Sequence, residues 1–366
     1  VGTRTIRPDG VDKVTGRAMY GADLTMPGML QGKVLRSPHA HAKIKSIDTS
    51  KAEALDGVKA IVTAEDMPLA DPKPVAAGEA MINMRDLSEN VIARHKVLYE
   101  GQTVAAVAAN TTEIAEKAVA LIDVEYEVLP HVIDVLEAMK EDAPLLHEDM
   151  FTGGVKPKPE KPSNVANRVE FSLGDADAGF ADADVVIEKN FTTEPVHQGY
   201  IEPHAVVADA NPDGKVDIWC SSQGHFMVRT FISGLLKIDM SKIKVTAAEI
   251  GGGFGGKTTV YLEPLAVMLS SKASRPVRMV MSREEVFRAS GPTSGAALTV
   301  KIGATKDGRI VAGDATLYFQ AGAWPGSPVG PAAMTAFAPY DIANVKVVGY
   351  DVVSNRQKVV AYRAPG

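Results

Sequence analysis

At 366 residues the chain is long enough for two or three domains, and its 45% hydrophobic and 23% charged shares are ordinary for a globular protein. A net charge of −6 argues against a nucleic-acid surface, and no run approaches the roughly 18 apolar residues of a membrane span. The single cysteine, Cys220, excludes an internal disulfide, a Cys-rich zinc site or an iron–sulfur cluster held by this chain.

In chain order, residues 1–20 are polar with scattered glycine and read as an extended arm without a signal-peptide apolar stretch. Leu30 to Arg36, Ile44 to Ile47 and Val58 to Thr63 read as strands, with a turn at Ser37–His41 and a short helix from Ser50 to Leu55. Asp66 to Asp86 is loop-rich. Val97 to Ala109 contains a strand of small apolar residues, Thr111 to Leu121 has helical period, and Val124 to Val128 alternates as a strand. This pattern predicts a compact α/β domain over 1–135. Residues 136–166 carry Lys156-Pro157-Lys158-Pro159-Glu160-Lys161-Pro162, which excludes helix and central strand and predicts a semi-rigid linker, with His147 exposed in it.

A second domain is predicted over 167–366. Val169 to Leu173 and Asp184 to Phe191 read as strands around an acidic Ala/Asp helix. Val206–Ala210 and Gly214–Cys220 should pair through Asn211-Pro212-Asp213-Gly214, which places Cys220 in a buried strand. Phe226 to Leu236 has helical period. Ala297–Ala304 and Arg309–Tyr318 form a second hairpin, and Val345 to Val353 a further strand. The run ending at Pro365-Gly366 leaves a core that a partner chain or a continuation is expected to complete.

The most informative stretch lies between an alternating run, Ile243 to Ile250, and a helix-like run, Val260 to Ala273. Gly251-Gly252-Gly253-Phe254-Gly255-Gly256-Lys257-Thr258 has five glycines in eight residues. Such a turn permits positive φ and close approach to an anion. Its spacing fits G-x-x-x-x-G-K-[ST], the phosphate loop of nucleotide hydrolases. Against that reading, no apolar strand ends in a suitable Asp, and Phe254 interrupts a cradle that needs bare backbone. A Gly-rich structural turn is the plain alternative.

A third reading rests on resemblance. Gly252 to Lys257 resembles the loop of the molybdenum hydroxylases, the xanthine dehydrogenase and aldehyde oxidase family. Val11 to Asp23 resembles that family's N-terminal segment, and Arg36 to Ile44 its α/β hammerhead domain. Ser222-Gln223, some thirty residues before the glycine loop, and Ala361-Tyr362-Arg363-Ala364-Pro365-Gly366 occur in the family's order.

The resemblance implies an α+β fold. A hammerhead domain over 1–135 is followed by the first part of a mixed molybdopterin-binding domain over 167–366. It implies a molybdenum cofactor, of the molybdopterin cytosine dinucleotide form, with no direct protein ligand to the metal. Gln223 would donate its side-chain N–H to an apical oxo group, and Phe254 would shape the substrate slot. Gly252, Gly253 and Gly255 would let backbone meet the cofactor, and Arg363 would steady developing negative charge. Gln223, Phe254 and Arg363 are thus the implied catalytic residues. The implied activity is hydroxylation of an N-heteroaromatic or an aldehyde, with water as the oxygen source, in a cytoplasmic heteromeric complex. Electrons would leave through 2Fe-2S and FAD subunits, and the catalytic base would come from a C-terminal molybdopterin-binding half. Thr258 replaces the Glu of xanthine-oxidising members, Pro331–Ala333 lacks their second Arg, and Ala364 stands where carbon monoxide dehydrogenases carry Cys. His197-Gln198-Gly199-Tyr200-Ile201-Glu202-Pro203-His204 matches no compact metal-ligand spacing and reads as hydrogen-bonded structure, as do His39 and His41. His225, beside Gln223, reads as a core or supporting residue.

Overall fold

The computed structural model describes residues 2–77 and 80–363. Its centre is a seven-stranded mixed sheet to which both halves of the chain contribute. Across the sheet the strands run Ile243–Ala247, Val216–Cys220, Ala205–Ala210, Val277–Val280, Leu30–Arg36, Thr103–Ala109 and Val58–Thr63. The two halves join where Leu30–Gly32 pairs in parallel with Val277–Met279.

Thr103–Ala109 shows why its sequence does not alternate. All seven of its residues are buried. Ala105 and Val107 pack towards the helix Thr112–Leu121, whereas Ala106 and Ala108 join the main core with the helix Glu263–Ala273. A strand covered on both faces needs apolar residues at every position, and alanine lets both helices approach. Glu263–Ser270 is likewise buried all round, so that helix carries almost no amphipathic signal. The hairpin from Ala205–Ala210 to Val216–Cys220 turns at Asn211–Gly214 as its sequence predicts, with Gly214 at φ +82°. Cys220 is buried in it.

A second, five-stranded sheet runs Val185–Thr193, Ala296–Ala304, Ile310–Gly322, Val345–Val353 and Val165–Leu173. A three-stranded sheet pairs Ala42–Asp48 with Asp123–Val128 and Lys96–Val97.

Four expectations need correction. Residues 1–20 contain a short helix, Gly10–Val14, and Tyr20 bridges to Glu249 beside the glycine loop. The stretch 66–86 holds a two-stranded hairpin and opens the helix Met84–Val91, whose N-terminus Asn83 caps through its side chain. Residues 136–166 are not a semi-rigid linker throughout: the helix Val135–Ala138 runs into them. Ala138 and Leu146 are buried in a core with Trp324, and Asn164 bonds the main chain of Ala138, Pro144 and Leu146. His147 in this stretch is half-buried and donates from Nε2 to the Ala323 carbonyl at 2.7 Å. The proline run has the composition of a linker, but long-range packing decides what its flanks do.

Asn355 ties these pieces together. Its Oδ1 accepts from Val132 N at 2.9 Å, and its Nδ2 donates to Leu98 O at 2.9 Å and to Ala40 O at 3.2 Å. Asn355→Ala leaves three backbone groups without partners, two of these bonds being buried, and is expected to lower unfolding stability by about 3 kcal/mol in denaturant titration.

Candidate functional site

Parallel pairing of Val216–Cys220 with Ile243–Ala247 builds the site. Cys220 lies opposite Ala247, so both segments leave the sheet at the same end. Ser222-Gln223 and the glycine loop therefore emerge side by side although about thirty residues separate them. Gln223 N donates to Lys257 O at 2.9 Å, and Ser222 Oγ donates to the same carbonyl at 3.3 Å. Gln223 Oε1 accepts from Gly255 N at 2.8 Å and Lys257 N at 3.3 Å. Two N–H donors on one oxygen fix the orientation of the amide. Nε2 is left facing away from those donors, and it donates to none of the described residues.

Phe254 is half-exposed at the tip of the loop and holds φ +51°. Its carbonyl accepts from Arg363 N at 2.7 Å, and Arg363 itself sits at φ +40°. Two touching non-glycine residues in the left-handed region are a local strain of the kind that gathers at functional sites. The glycines also serve the packing of the loop itself. A Cβ on Gly253 would lie 2.5 Å from Gln223 Oε1, and one on Gly255 would run into the Ala361 carbonyl. They allow the loop to close on protein neighbours. Among the described residues, the backbone N–H groups of Gly252, Gly253 and Phe254 donate to no acceptor. The site thus presents a carboxamide N–H and three successive free amides, a donor set that fits an oxygen-rich, negatively charged cofactor. The side chain of Arg363 is exposed, while Ala364, Pro365 and Gly366 of the same motif lie outside the described residues.

The phosphate-loop reading fails on this geometry. Lys257 turns inward, is fully buried, and pairs with Glu202 at 2.7 Å. Thr258 Oγ1 donates to Gly255 O at 2.7 Å inside the loop. The following helix starts at Glu263, not at the loop, and the preceding strand ends at Ala247 on the sheet edge. No lysine or hydroxyl of the motif faces a phosphate.

His197 and His204 form a hydrogen-bonded buttress under the loop. His197 Nε2 meets Ser290 Oγ at 2.9 Å, and His197 Nδ1 accepts from Gly199 N at 3.0 Å. Tyr200 Oη bridges His204 Nε2 at 2.6 Å and Ser290 Oγ at 3.1 Å. No group of three or more His, Cys, Asp or Glu side chains that could hold a metal occurs among the described residues. Burial, helped by Arg283, pulls the His197 imidazole down to about 4, and burial with Lys257 nearby holds His204 well below its ordinary value. In the unfolded chain both take up protons near pH 6.5. The unfolded state therefore binds more protons below that pH, and stability should fall as pH drops from about 6.5 and, for His197, level off below about 4. Thermal unfolding midpoints across this window check the slope, which His197→Asn should flatten. His41 Nδ1 meets Pro130 O at 2.6 Å, while His225 Nε2 is buried with no partner among the described residues. Sequence reasoning passed over the pairing of Glu202 with Lys257; the Glu in His197–His204 was its only signal.

The fold brings two parallel strand ends and a glycine loop together, with a donor set of the kind that suits an anionic organic group. Comparison with known proteins identifies which. Residues 157–366 match the molybdopterin cofactor-binding domain, and residues 15–130 match the a/b hammerhead domain of aldehyde oxidase and xanthine dehydrogenase. The chain is 34% identical over 366 residues to a probable xanthine dehydrogenase subunit of Bacillus subtilis (strain 168), covering 99% of this chain and 46% of that protein. It is 31% identical over 371 residues to the nicotinate dehydrogenase large molybdopterin subunit of Eubacterium barkeri, covering 100% of this chain and 82% of that subunit. Among solved structures, quinoline 2-oxidoreductase from Pseudomonas putida 86 superposes with a TM-score of 0.86 at 27% identity, covering 99% of this chain and 46% of that one. The chain belongs to the molybdenum hydroxylase family, of the xanthine dehydrogenase and aldehyde oxidase type. It spans less than half the length of the Bacillus relative.

Proposed function

We propose that this chain is the molybdenum-cofactor-binding part of a multi-subunit oxidoreductase that hydroxylates an N-heteroaromatic or an aldehyde with oxygen from water. The observation that carries this reading is the Gln223 carboxamide, whose Oε1 is held by two loop amides so that Nε2 is left free, in a loop whose Gly252, Gly253 and Phe254 amides donate to no acceptor among the described residues. The bound cofactor would supply the two-electron redox chemistry and activate water. Gln223 would hold an anionic oxygen of that cofactor through Nε2, and the Gly252–Phe254 amides would hold further oxygens. Phe254 would close one side of the substrate slot with its ring, which keeps water from that wall. Arg363 would place a permanent cation at the rim, where it steadies negative charge that develops on the substrate.

The cofactor proposed is molybdopterin cytosine dinucleotide. FAD and 2Fe-2S centres would sit on partner subunits; within these 366 residues a single cysteine cannot ligate a cluster. A C-terminal molybdopterin-binding half or subunit would bring the catalytic base. The division proposed is 1–135, 136–166 and 167–366, in a cytoplasmic complex. No helix among the described residues is long and apolar enough to cross a membrane. Both substrate classes have named counterparts among the relatives, quinoline and nicotinate on one side and aldehyde on the other. Turnover by the purified assembly in 18O-labelled water tests the reading. Label should enter the product, whereas incorporation only from dioxygen would refute a water-dependent hydroxylase.

A further inference from the structure

Beneath the glycine loop, one carboxylate ties the two ends together. Glu202 Oε2 accepts from the backbone N–H of Gly251 at 2.7 Å and from the ammonium of Lys257 at 2.7 Å. Gly251 opens the loop and Lys257 stands near its close. Lys257 also holds Gln223 by main-chain bonds, offering its carbonyl to Gln223 N and its N–H to Gln223 Oε1. The Lys257 ammonium lies 4.9 Å from the centroid of the Tyr200 ring. Burial draws the lysine below its ordinary pKa, and the Glu202 carboxylate opposes that. The second oxygen, Glu202 Oε1, is buried without a partner among the described residues. Desolvating two charges offsets most of the attraction between them, so such a pair contributes little net stability relative to apolar residues. Its value lies in geometry, because it fixes both the span of the loop and the main chain that aims Gln223.

We infer that Glu202 and Lys257 are positioning residues for the cofactor cradle, setting the spacing of the free loop amides and the direction of Gln223 Nε2. What the cradle holds rests on the function proposed above; the tie between the loop ends does not.

The test compares the intact assembly with the same assembly carrying Glu202→Leu and Lys257→Met together. Replacing both partners leaves neither member of the pair as a lone buried charge, and buried Glu263, which loses the nearby Lys257 cation, keeps its bond from Tyr261 N, so the unfolding midpoint should fall far less than with either single substitution. Hydrogen exchange at the amides of Gly251, Gly255 and Lys257 should accelerate about tenfold or more, the scale of one lost charge-assisted bond. Molybdenum and pterin per chain should fall with it. Glu202→Gln with Lys257→Met restores a neutral acceptor for Gly251 N–H and should recover part of both losses. Wild-type exchange at these amides in a folded double variant overturns the inference. Should the Leu/Met variant fail to fold, the Gln/Met variant decides by the same exchange, with acceleration expected and unchanged protection refuting it. Wild-type assembly devoid of molybdenum would sink the cofactor reading, while the exchange result would still stand or fall by itself.

Discussion

Gly255→Val should empty the assembled enzyme of its cofactor, lowering molybdenum and pterin per chain by about tenfold or more. Gly255 sits at φ +102°, which a β-branched residue rarely adopts, and its Cβ would strike the Ala361 carbonyl. Either the loop or the 361–363 segment must move. Moving the loop detaches Gly255 N from Gln223 Oε1; moving the segment breaks the bond from Arg363 N to Phe254 O and disturbs the one Gln198 Nε2 makes to Ala361 O. Both routes dismantle the cradle while leaving the main core untouched. Elemental and pterin analysis of the purified variant reads the effect, and near-stoichiometric cofactor in a folded Gly255→Val assembly would remove the loop from the site.

Gln223→Ala is expected to act on rate. It removes a preorganised donor at the cofactor, and a loss of about 100-fold in kcat per bound molybdenum is the scale of one such donor. Gln223 is exposed at the end of a strand, so its truncation should move the unfolding midpoint little. Normalising kcat to bound metal matters, because the same substitution frees the amides of Gly255 and Lys257 and should lower occupancy as well. Unchanged kcat per molybdenum would show that Gln223 only anchors the loop.

Much of this architecture was legible in local sequence. Val58–Thr63 and Val345–Val353 run as predicted, and the Asn211–Gly214 hairpin follows from its turn residues. The candidate site residues were singled out by the order of four motifs, because Gln223 alone reads as a polar strand end and Arg363 as a surface charge. Parallel strand pairing, which no local pattern reveals, brings Gln223 to the loop. The sharing of one sheet by both halves was invisible for the same reason, since Leu30 and Val277 meet across nearly 250 residues. Lys257 was misleading in isolation. Its position after Gly-Gly matches a phosphate lysine, yet the decision between facing out and facing in belongs to Glu202, some fifty residues earlier. Thr258 and the absence of an Arg in Pro331–Ala333 remain the reasons to look beyond xanthine for the substrate.

On the proposed function, the Gln223–Phe254–Arg363 region cradles a molybdenum–pterin cofactor. Quantifying molybdenum and released pterin in the purified wild-type assembly tests it most directly. About one of each per copy of this chain is expected, as a resident cofactor requires. An active, intact assembly holding neither would contradict it.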